Sequence, residues 1–235
     1  MQRFFIFMAV LCFFATPAFA GFEEGKKAYE KQDWVRAITE LRPLAEAGDD
    51  RAMLLLGNMY SEGYGVMRSY KEALSLYKRA AVEKNNAEAM LAMGAMYTSG
   101  RGVEARLNTA KEWFLRAAEL GSQQAAFFYA TVLFQGNKSA TDDIQPDAYQ
   151  SYKWFRIAEK EPPAGHFQQA AKQIADLIAE KRLKAEDVLK ADKEAAAWKP
   201  VTAESLGPPP EGPVTTTPSP GSPETPQALP GQSPK

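Results

Sequence analysis

The chain has 235 residues, 45% of them hydrophobic, with 28 lysines and arginines against 29 aspartates and glutamates. A formal net charge of −1 gives no electrostatic case for nucleic acid or an anionic membrane as a partner. A single cysteine, Cys12, excludes a disulfide framework, and the single histidine, His166, has no acidic cluster beside it to complete a metal site.

Residues 1–20 have the form of a signal peptide. Arg3 supplies the positive start, residues 4–14 an apolar run, and Ala18-Phe19-Ala20 the small-x-small pattern of a cleavage site. The run breaks at Thr16-Pro17, well short of the ~20 residues of a spanning helix. Leu11 is too bulky to precede a lipidated Cys12. Cleavage is expected after Ala20, leaving a periplasmic or secreted chain without a thiol. No later segment is apolar enough to cross a bilayer.

Residues 21–50 read as a degenerate helical repeat, with Ala28, Tyr29, Ala37, Leu41 and Ala45 in helical register around a short Lys31-Gln32-Asp33 link. Residues 51–160 then hold three copies of a longer unit. Ala52, Leu56, Gly57, Tyr60, Gly63, Gly65, Val66, Ala73, Tyr77, Ala80 and Ala81 return 37 residues later as Ala89, Met93, Gly94, Tyr97, Gly100, Gly102, Val103, Ala110, Phe114, Ala117 and Ala118. Such a period means one supersecondary unit copied in tandem. Each copy reads as two helices joined by a glycine turn, because Gly-x-Gly tolerates positive φ. The third copy keeps Ala126, Ala130 and Phe134 in its first helix, while Thr131 replaces the glycine. Tyr152, Phe155 and Ala158 follow at an offset of 41, so the extra residues fall near 138–143. A loop absorbs such an insertion at little cost.

Pro162-Pro163 breaks the chain before two further helical patterns, 167–181 and 185–198, which are expected to close the end of the stack within residues 161–200. Ten prolines among residues 201–235 predict a disordered tail with a polyproline bias, either a docking arm or a solubilising extension.

The columns Ala-x-x-x-Leu-Gly-x-x-Tyr-x-x-Gly-x-Gly-Val and Ala-x-x-x-(Tyr/Phe)-x-x-Ala-Ala resemble the Sel-one-like repeat, a longer-looped relative of the tetratricopeptide repeat. The resemblance implies an all-α fold, a right-handed α-solenoid of stacked helical hairpins that serves as a scaffold for protein complexes. Exported bacterial members include periplasmic regulators. Cysteine-rich exported members have been linked to β-lactam chemistry, but they carry a disulfide in each repeat, which this chain lacks.

In tetratricopeptide-like stacks the first helix of each pair faces a groove. If the columns transfer, Leu54, Leu91 and Phe128 form an apolar strip there, with Asn58, Ala95 and Val132 beside them and Arg51, Glu62, Glu88 and Gln135 at the rim. The same ladder also has the spacing of packing between repeats. No catalytic, metal or cofactor residue is expected. Ser75-Leu76-Tyr77-Lys78 matches Ser-x-x-Lys, but no Ser-Asp-Asn or Lys-Thr-Gly accompanies it. The Gly-x-Gly pairs lack the strand and third glycine of a dinucleotide loop. Asp142-Asp143 reads as a solvated loop pair. The expected function is an exported scaffold or regulator that binds a protein or peptide without a small-molecule cofactor. The alternatives are a β-lactam-type hydrolase and a peptidoglycan-binding envelope protein.

Overall fold

The computed structural model describes residues 17–138, 142–160 and 166–210. Most of the expected signal peptide, with Cys12, and residues 211–235 of the expected tail lie outside them. Among the described residues, ten α-helices follow one another: α1 (Pro17–Glu30), α2 (Trp34–Glu46), α3 (Asp50–Glu62), α4 (Tyr70–Glu83), α5 (Ala87–Ser99), α6 (Leu107–Glu119), α7 (Gln123–Gln135), α8 (Ala148–Ala158), α9 (His166–Arg182) and α10 (Ala185–Ala197). The first eight pair in order, α1 with α2 through α7 with α8, and each pair packs on the next. The result is an all-α solenoid.

Local chemistry sets these boundaries. Asp49, Asn86 and Ser122 cap the first helices, accepting from the backbone N–H groups of Ala52, Ala89 and Ala125. Gly63 and Gly100 end α3 and α5 in the left-handed region, at φ 79° and 68°, where a side chain would be strained. The alanine columns fill the space between helices: Ala52, Ala73, Ala80, Ala89, Ala110 and Ala117 are fully buried. Gly57 and Gly94 let the facing ring sit directly on the helix backbone. A Cβ at either would stand 2.6 Å from Tyr77 or 2.4 Å from Phe114.

The third repeat departs from this pattern where its insertion falls. Gly136 (φ 63°) turns the chain into two short strands, β1 (Asn137–Lys138) and β2 (Asp143–Ile144), paired antiparallel. Asp142 is not a solvated loop acid. It is 5% exposed and accepts from the N–H groups of Leu107 (2.8 Å) and Asn108 (3.0 Å) at the start of α6. Helix α6 needs that help, because its own N-cap residue is Arg106, which makes no side-chain cap. The inserted loop of one repeat therefore caps a helix of the repeat before it.

The C-terminal helices do not continue the stack as another hairpin. Helix α9 packs on α8, but α10 also turns back onto α8 instead of pairing with α9. A polar seam holds it there: Tyr152 Oη and Arg156 Nε both donate to Asp192, at 2.9 and 3.0 Å, and Lys160 donates to the Ala195 carbonyl. Trp198 meets Trp154 edge to face at 5.7 Å. Beyond it, Val201 N–H donates to Glu119 O (2.8 Å), and Arg116 donates to the carbonyls of Gly207 (2.5 Å) and Pro208 (2.8 Å). Residues 201–210, which composition assigns to a disordered tail, thus lie as a strap against α6. Proline leaves carbonyls without competing N–H groups, and Arg116 supplies donors for them.

Candidate functional site

Helices α3, α5 and α7 carry the predicted strip residues, which differ in what they offer to solvent. Leu54 and Val132 are 8% and 7% exposed and belong to the packing between helices. Leu91 and Phe128 are half-buried, the Phe128 ring stacking on Phe114 at 5.4 Å. Ala95 and Gln135 are exposed. A period of 37 assigns these residues to shared columns; it does not say how far each column reaches the surface.

Asn58 has a different task from its column mates. Its side-chain oxygen accepts from Tyr77 Oη at 2.7 Å, beneath the surface. Burial, the largest effect, raises the Tyr77 phenol well above its ordinary range. Burial also raises the phenol of Tyr29.

Around Ala95 the exposed side chains are short. Thr98 Oγ1 and Ser99 Oγ donate back to the carbonyls of Gly94 (2.9 Å) and Ala95 (2.8 Å), so both hydroxyls are engaged by their own helix. Leu91 and Ala92 of the same helix are half-buried. At the rim, Glu88 is exposed, while Glu62 pairs with Arg101 of the next loop at 3.3 Å. Arg51 is tied to Asp49 at 2.9 Å and lies 4.1 Å over the Phe22 ring.

The remaining motifs resolve into structure. Gly65 and Gly102 adopt φ 67° and 71°, and a Cβ at either would fall 2.4 Å from Trp34 Cβ or 2.7 Å from Tyr70 Cβ. These glycines let each loop rest on the preceding repeat, which accounts for Gly-x-Gly without a phosphate. Ser75 is exposed on α4 in a cleft with Glu72 and Arg79; Lys78 does not line that cleft. Among the described residues, no three His, Cys, Asp or Glu side chains cluster as metal ligands. No described helix is long and apolar enough to cross a membrane. The side chain of His166 lies outside the described ones.

Sequence reasoning missed Asp142 and the strap. Asp142 acts across 35 residues, and only the missing cap at Arg106 hinted that a partner was needed.

Comparison with known proteins agrees with this geometry. Residues 50–81, 87–122 and 123–161 match the Sel1 repeat, and the chain carries three of them. No curated protein matches the chain. Among solved structures, it is similar to a Sel1 repeat protein from Oxalobacter formigenes, at 24% identity and a TM-score of 0.59, over 76% of this chain and 72% of that one. A protective antigen of uropathogenic Escherichia coli with an SLR fold aligns at 20% identity and a TM-score of 0.43, over 76% of this chain and 44% of that one. Sel1 repeats are generally protein-interaction scaffolds.

Proposed function

We propose that this chain is an exported, non-enzymatic scaffold that recruits or restrains a protein partner through its first-helix face. The observation that carries the reading is the first-helix column itself, with Ala95 exposed on α5 and Leu91 and Phe128 only half-buried. An extended or helical peptide finds partly exposed apolar side chains there, with polar side chains at Glu88 and Gln135 to orient it. The hydroxyls of Thr98 and Ser99 are already paired, so a partner desolvates little by covering them.

A photo-crosslinking residue at Ala95 tests this in intact cells, with the same residue at Lys78 as control. A discrete protein adduct is expected from position 95 alone. Ala95→Arg should weaken capture by at least about tenfold, a loss of roughly 1.4 kcal/mol. Its melting temperature should stay within about 2 °C, because the position is exposed. Full capture by a folded Ala95→Arg variant would refute the groove. Export is tested separately: the processed protein should begin at Gly21.

A further inference from the structure

The second helices α2, α4, α6 and α8 carry another face, and between neighbouring members runs a furrow floored by the intervening first helix. The furrow between α6 and α8 is lined by Ala118, Ala126, Ile157 and Lys160 and is closed by Trp198 and Pro200. From there the strap runs along α6. It passes Glu119, whose carbonyl accepts from Val201 N–H, and then gives the Gly207 and Pro208 carbonyls to Arg116.

Another furrow lies between α2 and α4. Ala45 takes the place of Ala118, and Arg79 precedes Arg116 by one period of 37. It forms a cleft of about 240 Å³, with Leu56 and Tyr60 as floor and Arg42, Glu72, Leu76 and Arg79 as walls. Arg79 donates to the Ala45 carbonyl at 3.4 Å, a long bond across the furrow. Arg116, one repeat later in the same second-helix column, holds strap carbonyls at 2.5 and 2.8 Å.

We propose that the α2–α4 cleft is the docking site of the chain's own C-terminal segment, residues 211–235, with Pro218-Ser219-Pro220 beside Arg79. Reach and chemistry both favour this occupant. The described strap ends at Pro210, two residues past its Arg116 contact and already running along this face. Residues 211–235 span roughly 75 Å as polyproline helix. Four helix-to-helix steps from α6 to α2 amount to at most about 40 Å. Seven more prolines stand in this segment, including Pro213, Pro218, Pro220, Pro223 and Pro226. A stiff, proline-rich segment loses little entropy on docking, and its free carbonyls suit an arginine above an aromatic floor. This inference is independent of the first-helix reading, since it concerns the other face.

Disulfide trapping tests it on the full chain in a Cys12→Ala background. Ser219→Cys is combined either with Ser75→Cys, in the cleft, or with Ala95→Cys, on the first-helix face, and mildly oxidised. The Ser75 pair should close within the monomer at least about tenfold faster than the Ala95 pair, and Arg79→Glu should slow it. Equal rates for the two pairs would refute docking. Cross-linked dimers from the Ser75 pair would equally overturn it, by assigning the cleft to the tail of a second copy. Arg79→Gln serves in place of Arg79→Glu if charge reversal disturbs the helix.

Discussion

Tyr77 and Asn58 show how repeats that share a column diverge in chemistry. One period later the pair becomes Phe114 and Ala95, and in the third copy Phe155 and Val132. The hydroxyl disappears where its acceptor disappears, so neither is left unpaired in a later repeat. The Tyr77–Asn58 hydrogen bond should therefore be a coupled unit. Tyr77→Phe and Asn58→Ala are each expected to cost about 1 kcal/mol, and the double variant clearly less than their sum. Denaturant unfolding of the four proteins measures this directly; strictly additive losses would show that the bond contributes nothing. The sequence announces this column through its spacing, but Asn58 then looks like a groove residue. Only the phenol lying over it reveals that its side chain is engaged beneath the surface.

At the scale of elements, the helices were legible because alanine, glycine and aromatic columns recur. Helix α10 was legible as a helix, but its position was not. Ala191 and Ala195 are its buried residues, and two alanines carry no information about which neighbour they meet. The start of α6 was equally opaque, since its cap comes from a loop in another repeat. Asp142→Ala should cost roughly 1–2 kcal/mol, the range of a lost helix cap. The amides of Leu107 and Asn108 should also exchange faster with solvent. Unchanged exchange at those two amides would show that α6 starts without Asp142.

For the whole molecule, a solenoid normally joins each repeat only to its neighbours, and its stability is a sum of local terms. Here α10 and the strap add a connection of another kind, from beyond α9 back across α8 to α6. Trp198 is its anchor, half-buried against Trp154. Trp198→Ala should cost roughly 2 kcal/mol, below the range for a fully buried tryptophan. It should also split thermal unfolding, with α9 and α10 melting before the first repeats. A single transition shifted as a whole would mean that the strap adds stability without adding cooperativity.

That connection also determines where a pull on the C-terminus would be felt. Tension applied beyond Pro210 first loads the Arg116 contacts and then the Glu119 carbonyl, both on the middle repeat's second helix, before any strain reaches α9. A tethered chain would therefore yield like a buckle sheared along its length, instead of peeling away helix by helix from its exposed end.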